Sequence, residues 1–168
     1  MRVRRSPTVD PTPCGGLFIG HGTQKLLGWF GGPGLEKTGE TMEAVGMRPG
    51  RRNAIAAGTS ETLGGAAVLT GTFTPAGAAA LIGTMVTAIR TVHFQKGFWN
   101  TDGGYEFNLT LIAALLLIVD GGPGALSVDG ALGREDTGTG WALTALAAGA
   151  AGSALAVAAG QKATNSKA

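Results

Sequence analysis

The sequence is poor in the residues that build metal, redox and nucleic-acid sites. Its single cysteine, Cys14, excludes an intramolecular disulfide and every C-x-x-C redox or zinc motif. Its two histidines, His21 and His93, stand 72 positions apart (93 − 21), a spacing that gives no support for a metal site. The sequence contains neither a basic helix nor a basic patch with interleaved aromatic residues, so we expect no nucleic-acid partner.

Charged residues are scarce as well. They make up only 14% of the chain, against roughly 25% in soluble domains. Such a chain offers too little polar surface to cover a soluble core. The net charge of +2 and the pI near 9.0 are modest and favour basic loops that face anionic lipid. We predict no removable signal peptide, because no continuous apolar run within residues 1–13 precedes a small-residue cleavage site.

Long apolar stretches are what the sequence does contain. Hydrophobic residues account for 44% of the chain, and 30 further residues are glycine. Apolar runs of about 20 residues bounded by charges match a bilayer core about 30 Å thick. We therefore predict an all-α fold, a multi-pass transmembrane four-helix bundle in the cell membrane. The predicted spans are 14–30, 54–73, 75–94 and 105–119, and Pro75 opens the third at a helix start that tolerates proline.

The chain divides into an N-terminal tail (1–13), the membrane bundle (14–133) and a C-terminal extension (134–168). Within the extension, residues 141–160 are long enough to span but consist almost entirely of alanine and glycine. Such a weakly hydrophobic stretch inserts only marginally by itself. Two interpretations therefore stay open for it, a fifth span or a surface or disordered tail.

The connections between the spans differ in length and charge. Side A denotes the membrane side that carries the connections 31–52 and 95–104. In the first of these, apolar residues at helical spacing within 35–46 predict a short helix lying at the interface. Side A gathers seven lysines and arginines and side B gathers four, counted as Lys25, Lys37, Arg48, Arg51, Arg52, Arg90 and Lys96 against Arg2, Arg4, Arg5 and Arg134. This excess predicts that side A is cytoplasmic.

Five polar side chains interrupt the spans, all in the half of the bilayer nearest side A: His21, Lys25, Glu61, Arg90 and Glu106. An ionised side chain at bilayer depth costs about 2.5–3.5 kcal/mol, so we expect these groups to face the bundle interior and to pair. The two cations balance the two carboxylates in sign. We predict that Glu61 pairs with Arg90 and that the five side chains line a polar cavity open toward side A.

Each of these residues also has a structural interpretation. Glu61 and Arg90 would then form only an internal ion pair that fixes helix packing, and His21 would form a hydrogen bond between helices. Lys25 would extend its amine to the interface, and Glu106 would be solvated. No catalytic residue and no metal ligand is predicted.

Five stretches of the sequence resemble the DoxX family of small bacterial membrane proteins. They are "FIGHGTQKLLGWFGGPG", "AGTSETLGG", "TPAGAAALIGTMVTAIRTVH", "GFWNTDGGYEFNL" and "GPGALSVDGALG", which together cover most of Gly16–Gly133. The fourth stretch supplies three loop candidates, Trp99, Asn100 and Tyr105. The resemblance implies a four-helix membrane bundle similar to a subunit of thiosulfate:quinone oxidoreductase, and a link to oxidative or thiol stress.

Two hypotheses for function follow. The first is a redox-linked or accessory membrane subunit that binds a quinone or a sulfur species in the cavity. Because the sequence has no flavin fingerprint, haem motif or paired cysteines, the electrons would come from a redox partner protein or a transient ligand. The second is a non-enzymatic scaffold, or a module that binds a small solute or lipid. In either case the lipid bilayer is a partner, a homo-oligomer is an open alternative, and a stand-alone enzyme is not expected.

Overall fold

The computed structural model describes residues 9–124, 126–134 and 136–165, with the backbone alone for 164 and 165. In this part of the chain every regular element is helical, so the all-α prediction is confirmed. Residues 1–8 of the expected tail lie outside the described residues. The α-helices are α1 (Thr12–Leu27), α2 (Gly34–Ala44), α3 (Gly50–Thr70), α4 (Thr74–Ala88), α5 (Glu106–Gly121), α6 (Val128–Ala131) and α7 (Thr139–Asn165). A π-helical turn (Ile89–His93) and a 3₁₀ turn (Phe94–Lys96) extend α4.

The antiparallel helices α1 and α3 pack backbone to backbone through glycines. A Cβ added to Gly22 would lie 2.6 Å from the carbonyl oxygen of Gly58, and one added to Gly15 would lie 2.7 Å from that of Gly65. Because small residues let two helices approach closely, these glycines set both the spacing and the register of the pair. The register decides which side chains face each other at the side-A end.

Helix α4 begins at the side-B end, in a tight hairpin after α3. Its first turn contains Pro75, as predicted, and the preceding Phe73 has a φ of 47°. No side chain of the hairpin itself caps the helix. The cap comes from Asp129 in α6, whose carboxylate accepts hydrogen bonds of 3.0 Å from the backbone N–H groups of Phe73 and Thr74.

Helix α7 runs parallel to α4 and contacts it closely. A Cβ added to Gly149 would lie 2.8 Å from the carbonyl oxygen of Ala79, so the two backbones almost touch at this point. Ala142 and Ala145 of α7 belong to the same buried core as Leu81 and Leu115. The segment 141–160, for which the sequence left two interpretations open, is therefore a packed helix.

Two helices of the described chain are long and apolar enough to cross a membrane. They are Thr74–Lys96, whose most apolar 18 residues have a mean hydropathy of 1.3, and Thr139–Ala163, for which the corresponding value is 1.7. Helices α1 and α5 have 16 residues each, fewer than the roughly 20 that a straight span requires. All four expected spans are helical. How many of them cross the membrane, and whether they form a four-helix bundle, stay predictions.

Candidate functional site

A buried ion pair joins α1 to α3 near side A. Lys25 Nζ donates a hydrogen bond to Glu61 Oε2 over 2.5 Å, and the glutamate side chain is 4% exposed. The lysine side chain keeps 25% of its surface exposed, so the pair lies at the edge of the interior. The contact between Gly22 and Gly58 lies one turn from the ion pair on both helices, and it brings α1 and α3 close enough for this short contact.

The predicted pairing of Glu61 with Arg90 is wrong. Arg90 lies in the π-helical turn after α4 and is exposed, and within the described residues no ion pair joins it to Glu61. The sequence placed both charges in the half of the bilayer nearest side A. Depth in the bilayer, however, does not tell which neighbouring helix a side chain faces. The face of α3 that carries Glu61 is covered by α1, and α1 brings Lys25.

The remaining cavity candidates do not join this pair in the described part of the chain. His21 is half-buried on α1, one turn before Lys25. Glu106 begins α5, where its Oε2 accepts a 3.0 Å hydrogen bond from the backbone N–H of Asn100. This contact closes the 97–105 loop, so Glu106 and Asn100 meet each other rather than the ion pair.

Aromatic rings fill the same loop. Tyr105 stacks on Phe94 with ring centroids 6.0 Å apart and meets the edge of Phe98 at 5.6 Å. Trp99 packs against Phe98 at 5.0 Å but remains largely exposed. The three loop candidates thus belong to a folded aromatic cap at the side-A end of α4 and α5, which suits rings that favour the headgroup layer.

A groove of about 330 Å³ opens between α3, α4 and α7. Its walls come from 53–60 in the first half of α3, from 79–87 of α4 and from 148–156 in the middle of α7, together with two methionines, Met42 and Met47. None of the five predicted cavity residues lines it. Alanine and glycine dominate the walls because the close approach of α4 and α7 admits only small side chains there.

The hydroxyl groups of the groove are mostly occupied by the protein itself. Thr84 donates to the carbonyl oxygen of Leu81 over 2.7 Å. Thr87 Oγ1 lies 2.8 Å from the carbonyl oxygen of Gly83 and 2.9 Å from Ser153 Oγ. A groove whose hydroxyl groups are mostly bonded within the protein and whose walls are largely methyl groups and glycine backbone is suited to an apolar occupant.

Asp129 has a role that the sequence did not reveal. Asp129 is 3% exposed and ties α6 to the start of α4, 55 residues earlier in the chain. The signal available in the sequence was an acidic residue within the otherwise small and apolar segment 121–133. Nothing in the sequence, however, tells which helix end such a carboxylate caps.

Helices α4 and α7 have the length and composition of membrane-spanning helices. The family model named DoxX matches residues 14–94, 81 of the 168 residues, which contain α1 to α4 and the Lys25–Glu61 pair. This match supports a DoxX-like membrane protein, as the sequence motifs indicated. No curated protein and no solved structure matches the chain significantly.

Proposed function

We propose that this protein is a non-catalytic accessory module of the bacterial inner membrane that binds an apolar membrane ligand. The observation that carries the proposal is the groove between α3, α4 and α7, since two of these helices, α4 and α7, are long and apolar enough to cross a membrane. Its volume of about 330 Å³ is at the lower end of ligand pockets, which measure roughly 300–1,000 Å³. One ring system or a segment of an alkyl chain fits such a space.

The arrangement of the charged residues supports a structural role for them. Lys25 and Glu61 neutralise each other between two closely packed helices. Glu106 is bound to its own loop. These three side chains therefore hold the fold together, while the apolar part of the ligand occupies a different surface.

A second candidate function is a redox-linked subunit whose groove binds a quinone. The observation that favours it is Ser153 in the groove wall. Its Oγ accepts a hydrogen bond from Thr87, so its own hydroxyl proton is a donor for a quinone carbonyl. The DoxX match over residues 14–94 adds support, because that family resembles a subunit of thiosulfate:quinone oxidoreductase. A redox partner protein would then supply or accept the electrons.

A substitution that fills the groove tests both candidates. Gly152 lines the groove, and a Cβ added there would meet no atom within 4 Å, so Gly152→Leu places a side chain in the groove without a backbone clash. Ala151→Leu is the matched control, because Ala151 is exposed on the same helix and does not line the groove. Each protein is extracted in mild detergent, and co-purified small molecules are identified by mass spectrometry.

We expect the wild type and Ala151→Leu to retain an apolar ligand that Gly152→Leu loses. A quinone among the lost molecules supports the redox-linked subunit, and a lipid supports the non-enzymatic module. Equal ligand content in all three proteins would contradict the proposal, provided that the thermal unfolding of the two variants is the same.

A further inference from the structure

The groove ends among basic residues, and this indicates the chemical class of its ligand. We propose that it holds an acyl chain of an anionic phospholipid whose phosphate contacts Arg48, Arg52 and Arg90. This inference rests on the proposed function and specifies the ligand further.

The elements that line the groove place these cations at its side-A end. Arg48 directly follows the lining residue Met47. Arg52 stands four residues before Ala56, and Arg90 stands three residues after Thr87. Helical residues three or four apart are neighbours on one face, so both exposed arginines share a face with a lining residue. Three elements thus bring positive charge to one end of an apolar groove.

Arg48 also has an unsatisfied hydrogen-bond donor. Its Nε atom is buried, and within the described residues it has no hydrogen-bond partner. A buried donor without a partner costs free energy, so native proteins usually supply one from the chain, from water or from a ligand. A phosphate oxygen is a strong acceptor for a guanidinium group.

No carboxylate of the described residues forms an ion pair with Arg48, Arg52 or Arg90. Two of the three carboxylates of α2 have other partners: Glu36 Oε1 lies 3.6 Å from Arg51 Nε, and Glu43 Oε1 accepts a hydrogen bond of 3.0 Å from the backbone N–H of Gly50. The third, Glu40, is exposed. Basic clusters beside an apolar cleft between membrane helices are the kind of site that binds anionic lipid headgroups.

The test compares phosphatidylglycerol with phosphatidylcholine as probes. The detergent-purified protein is mixed with each lipid, and bound lipid is counted by native mass spectrometry. The variants are Arg48→Gln, Arg52→Gln and Arg90→Gln. The matched control is Lys37→Gln, which removes an exposed side-A cation that does not adjoin a lining residue.

We expect phosphatidylglycerol to bind more tightly than phosphatidylcholine. Each arginine substitution should weaken the binding of phosphatidylglycerol about fivefold. Lys37→Gln should bind like the wild type, and Gly152→Leu should lose phosphatidylglycerol. Arg52 and Arg90 are exposed, so their substitutions keep the test valid if Arg48→Gln fails to fold.

Two results would overturn the inference. If both lipids bind equally and the arginine variants change nothing, the ligand is not recognised by charge, although the groove proposal survives. If Gly152→Leu binds phosphatidylglycerol like the wild type, the lipid lies outside the groove, and the proposed function loses its support as well.

Discussion

The Lys25–Glu61 pair leads to an asymmetric mutational prediction. Glu61 has a 4% exposed side chain, whereas Lys25 keeps 25% of its side-chain surface exposed. Removing the lysine by Lys25→Met leaves a carboxylate that cannot reach water, and we expect a loss of about 3–5 kcal/mol in the free energy of unfolding. Removing the carboxylate by Glu61→Gln leaves a lysine whose amine can turn toward solvent, and we expect a smaller loss of about 1–3 kcal/mol.

The double variant separates the pair from its single members. Replacing both residues removes both charges, so Lys25→Met with Glu61→Gln should recover much of the loss seen in Lys25→Met alone. Arg90→Met is the matched control, because it removes an exposed cation from the same half of the protein. We expect that control to stay within about 0.5 kcal/mol of the wild type.

Unfolding in mild detergent, followed by loss of the helical circular dichroism signal, measures these differences. The pairing would be refuted if Arg90→Met cost as much stability as Lys25→Met. It would also be refuted if the losses of the two single variants simply added in the double variant, because two residues without contact behave independently.

Four further predictions follow from other contacts. Gly22→Ala should destabilise the protein by about 1–3 kcal/mol through overpacking. Gly20→Ala should be neutral or stabilising in the same unfolding assay, because a Cβ added there meets no atom within 4 Å. Equal losses of stability in the two variants would contradict glycine-mediated packing. Asp129→Ala should cost about 1–3 kcal/mol for each buried backbone donor that it leaves unpaired, and Asp129→Asn, which keeps one acceptor oxygen, should cost less; equal stability of the two variants would exclude the capping role. A cysteine introduced within 35–46 should react with an impermeant thiol reagent only after cells are opened, and labelling of intact cells would reverse the predicted sidedness. The pKa of Asp10 should lie below its ordinary value because the backbone N–H of Thr12, at the start of α1, donates to its carboxylate. The stabilising contribution of this contact is therefore present above the ordinary pKa and is lost as the pH falls through the lowered pKa. A carboxyl titration by NMR with an ordinary or raised midpoint would disprove this.

Local sequence determined the helices and their interruptions. Apolar periodicity and Pro75 marked the start of α4, and the apolar spacing within 35–46 marked the short helix that appears as α2. The first predicted span reached residue 30, but α1 ends at Leu27 because Gly28 adopts the left-handed conformation that glycine favours, with a φ of 71°. These features depend on residues within a few positions of one another, so they can be predicted without knowledge of the tertiary structure.

The partners of the polar groups were decided by the tertiary structure alone. A helical repeat tells which residues share a face, but not how far each helix is rotated about its axis or which neighbour covers that face. Those choices follow from backbone contacts at single glycines such as Gly22 and Gly149, where one added methyl group would shift the register. They gave Glu61 the partner Lys25 instead of Arg90. They also opened an apolar groove beside α7. The weak hydrophobicity of α7 did not tell whether this segment is an ordered helix, because its close packing on α4 depends on small residues in both helices.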